Sequence, residues 1–549
     1  MNYREIISQM TLEEKAGLCS GADFWRTKAV ERLQIPAVMV SDGPHGLRKQ
    51  ADEGDHLGLE ESVVATCYPA GAGIAASFSR EVAANLGDAL GEEAAAEGIH
   101  TLLGPAINIK RSPLCGRNFE YLSEDPCLAG EMAASYVNAV QNRGVGTSVK
   151  HFAANNQEYQ RMNVDVRVDE RTLREIYLAA FEDVVKKAQP WTIMCSYNRI
   201  NGKYSCENPW LLNQVLRKEW GYEGIVMTDW GAMNRRCESL EAGLDLEMPS
   251  SSGVTDKEIV EAVKGGALQE SLLDDTVERL LRWIDKGGKS TGAYDKDAHD
   301  VLSEKLETEC AVLLKNEGLL PLKKEQKVAF IGEYAQTPRY QGGGSSHINS
   351  YKITSACEVA KENKNISYTK GFGIEQSEPD MVLIEEAVEA AKAAELAVVF
   401  AGLPDSYESE GFDRKHLNLP ECQNFLIEKV AEVQPNVVVV LHNGSAVTMP
   451  WIEKVKAVLE LYLGGEAVGG ATVKLLYGEV NPSGKLPETF PLRLEDTPSY
   501  LTFPGENREV HYGEGVFVGY RYYEAKKLPV LFPFGHGLSY TAFDLSDLT

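Results

Sequence analysis

The sequence predicts an α/β protein in two parts, a (β/α)8-type TIM barrel followed by an α/β sandwich, and three observations carry that prediction. Over about the first 280 residues, short apolar runs alternate with amphipathic segments, the pattern of repeated βα units. Polar or charged residues stand at the ends of at least five of those runs, as a ring of loops around a barrel mouth requires. A glycine-rich break at 287–292, GGKSTG, then separates them from a new set of apolar runs. A doubly wound open sheet would instead gather its ligand groups at one switch point.

Taken in order, the first strand is expected at 36–40 (PAVMV), followed at once by Asp42 in a turn. The run 101–109 (TLLGPAINI) is broken by Gly104-Pro105 and leads to a loop holding Arg111 and Arg117. Residues 145–151 end on Lys150-His151, residues 191–195 lead into Ser196-Tyr197-Asn198, and 225–227 lead into Asp229-Trp230. Between them, 169–186 repeats Leu173, Ile176, Tyr177, Ala180, Phe181 and Val184 at helical spacing, and 274–284 repeats Val277, Leu280, Leu281 and Ile284.

Past the break, a helix is expected over 301–315 and strands over 328–331, 396–401, 437–441 and 458–463, separated widely enough for a mostly parallel sheet. The reading is therefore a barrel at 1–288, a linker at 289–300, a sandwich at 301–500 and a tail at 501–549 packed over both.

Composition narrows the function. With 55 basic against 81 acidic residues and a net charge of -26, nucleic acid and anionic membrane surfaces are poor partners. No apolar run reaches the roughly 18 residues a membrane span needs. The start, MNYREIISQMTLEEKAGL, lacks a basic region followed by an apolar core, so it does not read as a signal peptide. Ten cysteines without a CxxC pair indicate neither zinc nor a disulfide framework, and a cytoplasmic protein with reduced thiols is expected. The Gly342–Ser346 stretch has no GK[ST] after it, and Gly464 to Gly469 lacks GxGxxG spacing. No cofactor and no metal are expected; a homo-oligomer is compatible with everything above.

Asp229 is the central candidate. A carboxylate where a barrel strand opens into its loop sits where such folds keep their chemistry, and we read it as a nucleophile toward the anomeric carbon of a sugar. An Asp after a strand can also simply cap a helix; the other polar strand ends favour chemistry. Glycoside cleavage needs a second carboxyl to protonate the leaving oxygen. The loop 405–414, DSYESEGFDR, follows a second-part strand and offers Glu408 and Glu410, unless it is only a solvated acidic loop.

Ten ordered stretches resemble glycoside hydrolase family 3, the β-glucosidase branch: SDGPHGLR (41–48), ATCYP (65–69), SPLCGRNFEYLSEDP (112–126), KHFAANNQE (150–158), SYN (196–198), MTDWGA (227–232), YQGGGSSH (340–347), ESEGFDR (408–414), SGKLPETFP (483–491) and FPFGHGLSYT (532–541). The resemblance implies an exo-acting, retaining enzyme that removes glucose from a β-glucoside. Asp229 corresponds to the nucleophile and Trp230 to the platform beside it. Asp42 corresponds to the acid gripping sugar hydroxyls, Arg117, Lys150, His151 and Arg161 to the basic cluster around the same ring, and Tyr197 to the phenol near the nucleophile. Glu410, four residues before Arg414, corresponds to the acid/base, and Ser345 to a residue closing over the substrate.

Three expectations follow. The cations keep Asp229 ionised, while the charge of Asp229 raises the pKa of Glu410 so that it holds a proton. Retention implies carboxyls about 5 to 5.5 Å apart. Ala153-Ala154-Asn155-Asn156 after KHF departs from the N-acetylglucosaminidase branch, which carries KHFPG and a His-Gly element. Many relatives continue into a fibronectin-like domain, of which no complete copy is expected before Thr549. The competing readings are a β-xylosidase or α-L-arabinofuranosidase of the same family, and a sugar-binding protein without activity.

Overall fold

The computed structural model describes residues 2–50, 62–287, 292–543 and 546. Eight strands precede residue 230: β1 (Val40–Asp42), β2 (Thr101–Leu103), β3 (Gly146–Phe152), β4 (Asp165–Arg167), β5 (Thr192–Cys195), β6 (Arg199–Ile200), β7 (Lys203–Tyr204) and β8 (Ile225–Thr228). Five of them form one parallel sheet in the order β1-β2-β3-β5-β8. Alternation of side chains divides its interior in two. Ile193, Cys195 and Val226 face one apolar cluster, whereas Met194, Ile225 and Met227 face the other.

The sheet closes on itself through short segments that the apolar pattern does not announce. Met227 bridges Leu246 and Glu247 bridges Ser20, both in parallel; Gly21 bridges Thr27 and Arg26 bridges Met39, both antiparallel. With those at 246–247, 20–21 and 26–27, eight places surround the ring, and only the one at 26–27 runs against the rest. Long helices wrap it. Pro126–Asn142 starts with Asp125 accepting from Leu128 N–H at 2.8 Å and Pro126 in the first turn. Arg80–Ala96 starts from Ser79 in the same way.

Several elements differ from expectation. The run at 101–109 is a strand only to Leu103, because Pro105 has no N–H to give a ladder. The helix expected over 169–186 is present as Glu170–Thr172 and Ala179–Ala188, joined by a wider π turn at Leu173–Tyr177. Of the segment read as linker, 289–291 lies outside the described residues. From Lys296 it is helical, since Asp295 caps Lys296–Cys310 by accepting from the N–H groups of Asp297 and Ala298.

That helix stops at Cys310, and β9 (Val312–Asn316) replaces the rest of the helix expected to 315. The remaining strands are β10 (Val328–Ile331), β11 (Ile366–Thr369), β12 (Leu396–Gly402), β13 (Val437–His442), β14 (Ala457–Glu460) and β15 (Glu509–His511). A six-stranded sheet runs β11-β10-β12-β13-β14-β9, parallel except for β9, which pairs antiparallel with β14. The near-continuous apolar runs of β12 and β13 suit strands covered on both faces.

The described residues beyond 500 form no core of their own. β15 joins β4, β6 and β7 in a small sheet built from barrel loops. Val510, Tyr512 and Val518 sink into the barrel core and Phe532 into that of the second part. Buried polar pairs join the two parts: Lys110 with Glu488 at 2.6 Å, Cys67 N–H with Glu466 at 3.0 Å, and Glu124 with Thr489. All ten cysteines are free thiols. No helix of the described residues is long and apolar enough to cross a membrane.

Candidate active site

A cavity of about 290 Å³ opens at the C-terminal ends of the barrel strands, under the loops of the second part. Asp42, Arg117, Lys150, His151, Arg161, Tyr197, Asp229, Trp230, Ser345 and Glu410 all line it. Phe24, Trp25, Arg48, Met194, Gly344 and Gly411 complete the lining. Arg48 lies in a quoted stretch, SDGPHGLR, and could have been found there. Phe24 and Trp25 belong to the ring-closing segment, and Met194 looks like any strand apolar.

Asp229 follows β8 directly, and its N–H donates to the Cys195 carbonyl of β5 at 3.0 Å, which fixes the backbone. Its Oδ1 accepts Trp230 N–H at 2.8 Å. Oδ2 has no hydrogen-bond partner among the described residues and lies 3.8 Å from His151 Nε2. Burial raises the Asp229 pKa, against the opposing pull of Arg117, Arg161, Lys150 and the Trp230 N–H.

His151 is neutral, since burial and then Arg117, Lys150 and Arg161 drive its pKa far down. Its Nδ1 faces Asn108 Oδ1 at 3.3 Å, so Nδ1 carries the hydrogen and Nε2 offers a lone pair to the cavity. Asn108 also bonds both backbone groups of His151. Beside it Lys150 Nζ lies 3.7 Å from Asp42 Oδ1. Burial pushes Asp42 up to about 6, with Lys150 and Arg48 opposing and the charges of Glu410 and Asp229 adding.

Trp230 forms an apolar wall with Trp25 and Phe24, at ring separations of 5.4 and 6.0 Å. Its Nε1–H donates to the Phe24 carbonyl at 3.0 Å, and Tyr197 Oη–H donates to the Trp230 carbonyl at 3.2 Å. Arg161 lies over the Tyr197 ring, 5.1 Å from its centre.

The loop after β12 separates its two acids. Glu408 is fully buried away from the cavity, held by Arg339 at 2.9 Å and Gly444 N–H at 2.8 Å. Glu410 reaches the cavity. Its Oε1 takes Arg161 at 2.8 Å and lies 3.5 Å from Arg117; its Oε2 accepts both the N–H and the Oγ–H of Ser345. Gly344, at φ +94°, permits this approach, because a Cβ there would stand 2.4 Å from Glu410 Cβ.

That environment overturns the expected ionisation. Burial alone would raise Glu410, but Arg117, Arg161 and the two Ser345 donors outweigh it and hold the carboxyl well below its usual range. The charge of Asp229 does not win. Glu158, which shares Arg161 with Glu410, is instead pushed up to about 7 by burial against Arg161 and Arg117. Among the described residues no group of three or more His, Cys, Asp or Glu is arranged to hold a metal ion.

Residues 6–283 match the Glycosyl hydrolase family 3 N terminal domain, and residues 311–540 match the Glycosyl hydrolase family 3 C-terminal domain. The chain is 58% identical to thermostable beta-glucosidase B of Acetivibrio thermocellus, over 100% of this chain and 74% of that protein. It is 49% identical to exo-alpha-(1->6)-L-arabinopyranosidase of Bifidobacterium longum, over 98% of this chain and 73% of that one. The GH3 beta-glucosidase of Bifidobacterium adolescentis superposes with a TM-score of 0.93 at 48% identity, covering 97% of this chain and 78% of that structure. Beta-glucosidase 3B of Thermotoga neapolitana in complex with alpha-D-glucose superposes with a TM-score of 0.93 at 36% identity, covering 100% and 84%.

Proposed function

The chain belongs to glycosyl hydrolase family 3, and from that premise we propose that it is a retaining exo-β-glucosidase, cleaving terminal non-reducing β-D-glucosyl residues from oligosaccharides or aryl glucosides. The observation that supports this reading most is that Asp229, at a barrel strand end, and Glu410, from the second part, line one cavity. In this reading Asp229 Oδ2 attacks the anomeric carbon and the leaving oxygen takes a proton from Glu410. The resulting Glu410 carboxylate then removes a proton from water, which attacks the same carbon and frees Asp229.

The surrounding groups suit the glycone. Asp42 and the His151 Nε2 lone pair accept sugar hydroxyls, Lys150 and Arg117 donate to them, and Trp230 covers an apolar ring face. The competent pair, ionised Asp229 with protonated Glu410, is the minor of the two singly protonated forms in the free site. We place the reaction in the cytoplasm, with ten free thiols as the support.

Asp229→Ala should abolish turnover. Glu410→Ala should retain kcat/KM on substrates with good leaving groups and gain activity with azide, which needs no general base. Equal loss on all leaving groups, without azide rescue, overturns the assignment of Glu410. The similarity to an arabinopyranosidase favours a second reading. An α-L-arabinopyranoside keeps the equatorial glycosidic bond but lacks the hydroxymethyl group and has an axial O4, so the same acid pair could cleave it. Comparing kcat/KM on nitrophenyl β-glucoside, α-L-arabinopyranoside and β-xyloside separates them; preference for either pentoside sinks the glucose reading.

A further inference from the structure

Outside the cavity, the loop bearing Glu410 is fastened to the barrel by two carboxylates that face in opposite directions. Asp413, from the second part, takes three barrel N–H groups: Gly116 at 3.2 Å and Glu158 at 2.8 Å on Oδ1, and Tyr159 at 2.8 Å on Oδ2. Glu158, from the barrel, reaches back, and its Oε2 accepts the N–H of Gly411 at 2.8 Å and Arg161 Nη1 at 2.7 Å. Each part thus supplies a carboxylate to the other's backbone, and both contacts fall within three residues after Glu410.

The contact is close as well as polar. A Cβ on Gly116 would stand 1.9 Å from the Phe412 carbonyl oxygen and 2.3 Å from that of Ser409. Ser409 and Phe412 bridge each other, so Glu410 and Gly411 form the tip of a tight turn pressed on this glycine. Arg414 N–H adds a bond to the Leu114 carbonyl at 2.8 Å.

We propose that Asp413 is a positioning residue for Glu410: its clasp on Gly116, Glu158 and Tyr159, returned by Glu158 on Gly411, sets where the tip of the loop stands over the cavity. The proposal rests on the reading of Glu410 as acid/base. Hydrogen bonds from N–H to an ionised carboxylate are among the stronger ones, and a catalytic group displaced by about 1 Å can lose on the order of 100-fold in rate. Attack by Asp229 does not pass through this loop. Loss of the clasp should therefore weaken protonation of the leaving group and activation of water, and leave attack on an activated glycoside nearly whole.

The experiment compares kcat/KM on dinitrophenyl and phenyl β-glucosides for the full chain carrying Asp413→Ala, Asp413→Asn or Gly116→Ala, with Glu410→Ala alongside. Asp413→Ala should lose about 100-fold on phenyl glucoside and less than about 5-fold on the dinitrophenyl substrate, and azide should raise its kcat. Asp413→Asn keeps one acceptor oxygen and should recover part of the phenyl activity. Gly116→Ala forces a methyl against the Phe412 carbonyl and should show the same split, while the isosteric Asp413→Asn carries the test if neither alanine variant folds. A uniform loss on both substrates, or no loss, in a folded variant overturns the proposal provided Glu410→Ala shows the split. If Glu410→Ala lacks the split, the acid/base reading has failed instead, and the positioning role falls with it.

Discussion

Ser345 donates twice to one oxygen of Glu410, from its backbone N–H at 2.7 Å and from its hydroxyl at 2.6 Å. Both bonds favour the charged carboxylate, and they come from a loop of the second part rather than from the barrel. Ser345→Ala removes one donor, and a bond to a charged group is worth roughly 1.5–3 kcal/mol. The Glu410 pKa should rise by about one unit or more. Because Glu410 is the lower of the two carboxyl pKa values, the acidic limb of the kcat/KM profile on an aryl glucoside should move upward while the alkaline limb stays.

Asp42 predicts a second titration. It gains a proton as pH falls through about 6 and then loses capacity to accept sugar hydroxyls. KM for nitrophenyl glucoside should rise below that pH. In Asp42→Asn that dependence should vanish, with kcat/KM lowered by about 100-fold or more through lost charge-assisted bonds. A KM that still climbs below pH 6 in the variant assigns the titration elsewhere.

Glu408 separates a structural carboxylate from a chemical one. Its ion pair with Arg339 is buried on both sides, and removing one partner of such a pair costs about 3–5 kcal/mol. Glu408→Ala should lower the thermal midpoint clearly, and azide should restore none of its activity. Rescue by azide would transfer the acid/base role to Glu408.

Glu124 and Glu158 should each contribute a loss of stability as pH rises from 6 to 8. Burial raises Glu124 and Glu158 to about 7 in the folded protein, against about 4.3 when unfolded. The folded chain therefore binds more protons between those values. That contribution is full below the unfolded value and disappears as pH passes about 7. Glu410 has the opposite sign, but its contribution is complete above the unfolded value and is flat across this window. Burial keeps His45, His100, His151 and His442 neutral and acts the other way over the same window, so the check is a comparison: between pH 6 and 8 the thermal midpoint of Glu124→Gln should rise relative to that of the unaltered chain.

Much of the site could be read from the chain because barrel chemistry collects at strand ends. Asp42, Lys150, Tyr197 and Asp229 all follow short apolar runs, and the structure brings them to one cavity. What escaped reading depends on contacts between distant segments. The ring-closing pieces at 20–21, 26–27 and 246–247 are held by single bridges and carry no period-2 pattern. β9 looks like the end of a helix until β14 is beside it. The charge on Glu410 is hidden for the same reason: Asp229 is visible as a neighbour in motif order, whereas Arg161 and Ser345 act through short contacts that only folding creates.

The pairing of β15 with β4 also constrains synthesis. Arg167 in β4 bonds Glu509 in β15, 342 positions later, and between them the chain has already delivered Asp229 and Glu410. A polypeptide emerging from the ribosome thus holds its whole reactive complement long before the barrel loops gain their last edge strand. Activity should appear only once the region around 509–511 clears the exit tunnel, rather than in step with the catalytic groups.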